Sequence, residues 1–136
     1  MVYGLTMKTP ESEKLTLNLG FVDLGRIDLL VRDGFYSNRS DFIRTAIRNQ
    51  LATHSDVAAK ATTRLALELG LRTFTRQDLE AVVAAGEQLD IRVLGLAVID
   101  SDVSPELARQ AVASLTILGA LHTSPEVKAA LADRLT

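Results

Sequence analysis

Three polar side chains near the N terminus occupy alternate positions, Lys14, Thr16 and Asn18. The residues between and after them are leucines, Leu15, Leu17 and Leu19. A strand over residues 14–19 would therefore carry one polar face and one apolar face. Lysine can donate hydrogen bonds to O6 and N7 of guanine, and asparagine can pair with adenine through two hydrogen bonds. The polar face is thus chemically suited to contacting base edges.

A second group of candidate residues lies where a helix is expected to begin, Ser37, Asn38, Arg39 and Ser40. Asn38 has the residue type of an N-cap, and Asp41 follows at the spacing of a reciprocal capping partner. The free backbone N–H groups and the positive end of the helix dipole suit a phosphate oxygen. Arg39 adds a positive charge at the same place.

Catalytic and metal-binding chemistry has little support in the sequence. The chain has no cysteine, and its two histidines, His54 and His122, are far apart. No glycine-rich phosphate loop is present, and Asp100 and Asp102 are better explained as turn or cap residues than as an acid/base pair. We therefore expect no enzymatic activity, no metal site and no cofactor.

Length and charge restrict the remaining classes. The 136 residues allow one domain or two small ones, and 47% hydrophobic with 24% charged residues indicates a folded chain. Residues 1–55 carry seven Lys/Arg and six Asp/Glu, and residues 56–136 carry eight and eleven. Contact with a nucleic acid must therefore be local, because a general basic excess is missing. No apolar run approaches about 20 residues and no signal peptide is evident, so we expect a cytoplasmic protein without membrane contact.

The strand and the candidate helix start must be positioned by the elements around them. A lone strand leaves its backbone unpaired, so the pattern predicts pairing with the same strand of a second copy. After Gly20 the apolar spacing becomes helical over residues 21–31, and Asp33-Gly34 is typical of a helix end. The second predicted helix begins at Ser37-Asn38. Its apolar stripe consists of Phe42, Ile43, Ala46, Ile47 and Leu51.

These elements, with the run Gly34-Phe35-Tyr36-Ser37-Asn38-Arg39-Ser40-Asp41-Phe42-Ile43-Arg44, resemble the ribbon-helix-helix family of CopG/Arc/MetJ-type regulators. The resemblance covers about 40 residues. It implies that the paired ribbon of a dimer enters the major groove and that the start of the second helix contacts flanking phosphates. The implied dimer core is Leu15, Leu17, Leu19, Leu24, Ile27, Phe42, Ile43 and Ile47. Family members commonly have proline where this chain has Gly20, which predicts a looser turn.

The second half of the chain contains an internal repeat. Residues 92–99 align with residues 116–123 at a shift of 24, and the alignment extends from Asp102-Val103 to Glu126-Val127. A weaker copy places residues 69–71 on the pattern around Gly95, with Leu79 in the place of Val103. Each unit would be a short helix, such as Pro105–Ala113 capped by Ser104, followed by an apolar strand with a central glycine. A helix and a strand that repeat at this period are typical of a small solenoid. The alternative is a compact α/β lobe.

The sequence thus predicts a mainly α-helical protein with short strands. The domains are an N-terminal arm (1–12), a dimeric ribbon-helix-helix domain (13–52), a connecting helix (53–68) and an α/β repeat domain for oligomerisation or sensing (69–136). The predicted function is a sequence-specific regulator, a repressor, whose partners are double-stranded DNA and further copies of itself. The alternatives are an antitoxin that also represses its own synthesis, with an unidentified protein partner, and a DNA-linked assembly protein.

Overall fold

A computed structural model describes residues 12–136, which form two compact units, residues 12–60 and 61–136. Three helices come first, α1 (Phe21–Arg32), α2 (Arg39–Thr53) and α3 (Ser55–Arg64). Strands and helices then alternate as β1 (Glu68–Phe74), α4 (Arg76–Ala84), β2 (Leu89–Ile99), α5 (Pro105–Ala111), β3 (Val112–His122) and α6 (Pro125–Ala130). The predicted arm lies, apart from Ser12, outside the described residues. Two of the strands have 11 residues, so the fold is more evenly mixed between helix and strand than expected.

The first two helices end and begin close to their predicted positions. Asp33 caps the C terminus of α1, and Gly34 follows with a φ of +85°, the left-handed conformation that glycine adopts without strain. Asn38 caps the N terminus of α2, because its side chain accepts a hydrogen bond from the backbone N–H of Asp41. The sequence signals at both ends of this turn were therefore sufficient.

The connecting helix is shorter than the predicted range 53–68. It ends at Arg64, where the N–H groups of Ala66 and Leu67 donate to the carbonyls of Thr63 and Thr62. Ala66 has a φ of +53°, so alanine occupies the left-handed position that usually holds glycine. Because this residue is alanine and not glycine, its type does not indicate the end of the helix.

The three strands form one parallel sheet in the order β1-β2-β3. Gly95 lies opposite Gly70 on one side and Gly119 on the other, and Arg92 lies opposite Thr116. The repeat alignments of residues 92–98 with 116–122 and of 69–71 with 94–96 are therefore confirmed as strand register. The three glycines form a row across the sheet.

The helical parts of the repeat do not follow the predicted alignment. Val103 precedes the cap Ser104, whereas Val127 lies inside α6, so the extension from Asp102-Val103 to Glu126-Val127 is wrong. The reason is that the connection from β2 to α5 is longer than the one from β3 to α6. Counted from the helix caps, Leu79 corresponds to Ala108 and not to Val103. In addition, α5 ends at Ala111, two residues earlier than expected.

The core of residues 61–136 lies between the sheet and helices α4, α5 and α6. It contains Phe74, Leu79, Ile91, Val93, Ala97, Ile99, Val103, Ala108, Ala111, Val112, Leu115, Val127 and Leu131. The capping box between Thr75 and Asp78 fixes the start of α4, and hydrogen bonds from Thr75 hold the pKa of Asp78 below its usual value. No helix in the described part of the chain has the length and apolar character needed to cross a bilayer.

Candidate nucleic-acid interface

The predicted ribbon strand, residues 14–19, is neither helix nor paired strand in the single chain. All its residues are exposed, including Lys14, Thr16 and Asn18. The exposed fractions of the alternating leucines are also high, 82% for Leu15 and 61% for Leu17. The polar and the apolar sides of this segment are therefore both open, and the segment has no pairing partner among residues 12–136.

The predicted dimer core is incomplete in one copy. Within residues 12–60 only Ile27 is buried, with 5% of its surface exposed. Leu24, Phe42 and Ile43 are partly buried, whereas Ile47 remains 49% exposed. A unit of this size cannot be held together by one buried side chain, because burial of apolar surface is the main stabilising contribution to folding.

The N terminus of α2 brings together the predicted phosphate contacts. Asn38 accepts from the N–H of Asp41 at 2.8 Å, and a carboxylate oxygen of Asp41 accepts from the N–H of Ser37 at 2.8 Å. The N–H groups of Arg39 and Ser40 are at the first two helical positions, where no intrahelical acceptor exists. Two backbone donors therefore remain available for an anion, although the nearby carboxylate of Asp41 competes for the positive helix end.

Arg39 is engaged with α1 in the single chain. Its Nε and Nη2 atoms each lie 2.7 Å from a carboxylate oxygen of Asp28, which is a bidentate ion pair across the turn. The hydrogen bond from Arg39 lowers the pKa of Asp28, and the same contact raises the pKa of Arg39. The sequence did not reveal this pair, because the two residues are 11 positions apart and meet only through the helix–turn–helix geometry.

Two further features concern the residues that lead into α1 and α2. The rings of Tyr36 and Phe42 meet edge to face, with centroids 5.0 Å apart and planes at 87°. Gly20, at the N-cap of α1, has a φ of −63° and a ψ of 152°. This φ is the value that proline would impose, so Gly20 adopts the backbone conformation expected of proline at this position.

A comparison with protein-family models decides the class of this module. The model described as the Ribbon-Helix-Helix transcriptional regulator family matches residues 10–128. The chain belongs to this family. The match extends well past the module, so the repeat unit forms part of the family pattern in this ribbon-helix-helix regulator. No curated protein and no solved structure matched the chain.

Membership in the ribbon-helix-helix family makes the Asp28–Arg39 pair testable. Replacing Asp28 with asparagine is expected to raise affinity for DNA and to steepen its salt dependence, because Arg39 becomes available to a phosphate. Each added phosphate contact changes the slope of log K against log salt by about 0.9. Two copies should therefore add roughly two units to the slope, measured by fluorescence anisotropy over a salt series.

Asp23→Asn is the matched control. It removes the same charge from the same helix but releases Arg26, whose nitrogen lies 3.7 Å from the Asp23 carboxylate. Equal slopes for the two variants would contradict a phosphate-binding role for Arg39.

Proposed function

We propose that this chain is a sequence-specific DNA-binding repressor that acts as a homodimer through an intermolecular two-stranded ribbon. One observation carries the proposal: residues 12–60 bury a single side chain, and the leucines that alternate along residues 15–19 are exposed. A second copy would cover these leucines and supply the missing strand. Pairing would also hold residues 14–19 as a regular strand, in which polar and apolar side chains point to opposite faces. The three polar side chains of each copy would then lie on one common face.

The polar face is proposed to determine which DNA sequence is bound. Lys14, Thr16 and Asn18 supply donors and acceptors that match base edges in the major groove. The free N–H groups of Arg39 and Ser40 would bind phosphates beside the ribbon, which fixes the position of the protein without carrying sequence information. With one lysine per strand, selectivity for sequence should exceed general affinity for DNA.

Residues 61–136 are proposed to act in assembly rather than in DNA contact. The chain from residue 56 onward carries eleven acidic and eight basic residues, so it does not attract phosphates. The sheet has apolar residues exposed on the side away from its helices, including Leu69 and Leu118. These observations support a role in joining copies of the regulator.

The experiment that tests the proposal is selection of duplexes from a random pool by the full-length protein. We expect a site made of two half-sites related by a two-fold axis, because each strand of the ribbon contacts one half. Enrichment of an asymmetric site, or no enrichment, would contradict the proposal that a homodimer recognises the DNA sequence.

A pair of variants sharpens this test. Leu17→Glu should abolish both pairing of the ribbon strands and selection of the DNA site, although Leu17 is 61% exposed in the single chain. Leu118→Glu, at a leucine that is 46% exposed in the repeat unit, should preserve selection of the same site. If Leu17→Glu selects the wild-type site with unchanged affinity, the ribbon is not the dimer interface.

A further inference from the structure

Among residues 12–136, the outer edge of β1 is open along its whole length. β1 pairs only with β2, and no other residue among 12–136 bridges its free side. The opposite edge of the sheet is partly covered, because Leu115 of β3 bridges Leu135 and its carbonyl accepts from the N–H of Thr136. An uncovered edge strand offers unpaired N–H and C=O groups to a further strand.

The glycine row indicates that the free edge has room for a neighbour. A Cβ added to Gly95 would lie 2.3 Å from the carbonyl oxygen of Gly70, and one added to Gly119 would lie 2.0 Å from that of Gly95. A Cβ added to Gly70 would meet nothing within 4 Å, although Gly70 has a similar backbone conformation, with a φ of +107°. Beside the inner glycines this space is occupied by a neighbouring strand, and beside Gly70 no residue among 12–136 occupies it.

The sequence of β1 is complementary to itself in the antiparallel direction. It reads Glu68-Leu69-Gly70-Leu71-Arg72, so a pairing centred on Gly70 places Leu69 opposite Leu71 of the second copy. The same register places Glu68 opposite Arg72 of the second copy, on the other face. Both leucines are exposed in the single chain, at 75% and 59%. Opposite charges and apolar pairs directly across two strands stabilise a sheet.

We propose that β1 pairs antiparallel with β1 of a second copy, with Gly70 opposite Gly70 of that copy. The two sheets then become one sheet of six strands across a two-fold axis. The inference rests on the assembly role proposed for residues 61–136 and names the surface that performs it. It does not depend on the ribbon contacts with DNA.

Cross-linking tests the register, because the chain has no cysteine of its own. Two differently tagged full-length copies, one Leu69→Cys and the other Leu71→Cys, are co-expressed, purified through both tags and oxidised. Opposite residues of antiparallel strands have Cα atoms about 4.5–5.5 Å apart, within the reach of a disulfide. We expect a disulfide between the tagged copies. Two Leu69→Cys copies should give a disulfide yield about tenfold lower, because the register separates their cysteines by two residues along the strand.

A different strand at the free edge of β1 would give a different disulfide product. Parallel pairing with β3 in the register of the inner strands would place Leu69 opposite Leu118 and cross-link Leu69→Cys to Leu118→Cys. That product would overturn the proposal. Absence of a disulfide between Leu69→Cys and Leu71→Cys would overturn it as well, and would be expected if residues 1–11 cover the edge. A single band at the mass of two copies, or of a multiple of two, supports it.

Glu68 and Arg72 form an ion pair within β1. Variants that reverse these charges distinguish an effect of that internal pair from an effect of contacts between copies. Adding Glu68→Arg to both cysteine copies should lower the disulfide yield about tenfold, because two cross-strand pairs become repulsive. Combining Glu68→Arg with Leu69→Cys in one copy, and Arg72→Glu with Leu71→Cys in the other, should restore the yield. Each of these copies has like charges within its own β1, so only pairing between copies explains a recovery.

The outcome is distinguishable from failure of the proposed DNA function. The charge variants leave the ribbon and α2 intact, so a single isolated DNA site should be bound as by the wild-type protein. If DNA binding were lost while the disulfide between Leu69→Cys and Leu71→Cys still formed, only the proposed DNA-binding function would be contradicted. A missing disulfide with normal DNA binding would remove the β1 pairing alone.

Discussion

Replacing Lys14, Thr16 and Asn18 together with alanine is expected to weaken binding to the selected DNA site by at least about a hundredfold. Each well-formed contact between a side chain and a base contributes roughly 1–3 kcal/mol of discrimination, and a dimer presents six such side chains. Two lost contacts already correspond to about a hundredfold in affinity. The measurement is an electrophoretic mobility shift at fixed salt on the selected site and on a scrambled duplex.

The control removes the same three residue types from exposed positions elsewhere. Asn49, Thr53 and Lys128 are exposed and lie outside the ribbon, so their triple alanine variant should bind as the wild-type protein does. Both triple variants should keep their helix content and their oligomeric mass. If the ribbon variant retained wild-type affinity for the selected site, base reading by residues 14–18 would be excluded.

The sequence was most informative where local chemistry alone decides the structure. Asn38 and Asp41 marked the start of α2, and Gly34 marked the end of α1, because caps depend on a few adjacent residues. The strand register also followed from the repeat, since Gly95 and Gly119 are 24 positions apart and lie opposite each other. Periodic sequence patterns thus specified the register without any tertiary information.

Other features depend on contacts that no local pattern records. The bidentate pair of Asp28 and Arg39 requires both helices to be in place, and it changes which groups at the start of α2 are free. Ala66 ends α3 in a conformation that its residue type does not indicate. The longer connection before Ser104 disrupted the repeat alignment, because loop lengths vary more freely than strand spacing.

Exposure of the ribbon leucines was itself a consequence of the sequence pattern. A six-residue strand without a neighbour predicts an unpaired segment in one copy, and residues 13–20 are unpaired. The base contacts expected of Lys14 remain a prediction, because they depend on the groups that a second molecule presents. For residues 12–60 the expected physical behaviour is coupled folding and dimerisation, with stability that rises with protein concentration.

Replacing Gly119 with alanine is expected to destabilise the sheet by at least about 3 kcal/mol. The new Cβ would lie 2.0 Å from the carbonyl oxygen of Gly95, and Gly119 has a φ of +125°. Backbone strain of this kind costs roughly 1–3 kcal/mol. Moving β3 away from β2 to relieve the overlap also weakens ladder hydrogen bonds, each contributing about 1 kcal/mol. Urea unfolding of the full-length protein, with hydrogen exchange at the β2 and β3 amides, measures the effect.

Two other glycines separate steric overlap from backbone strain. Gly70→Ala meets no atom within 4 Å but shares the unfavourable backbone conformation, so within one copy it should cost the strain alone, roughly 1–3 kcal/mol. Gly25→Ala lies inside α1 with neither obstacle and should stabilise that helix by about 0.5–1 kcal/mol. The expected order is therefore Gly119 most costly, Gly70 intermediate and Gly25 favourable. Equal costs at Gly119 and Gly70 would mean that the sheet yields to the added methyl group, and the close strand contact would not be what requires glycine there.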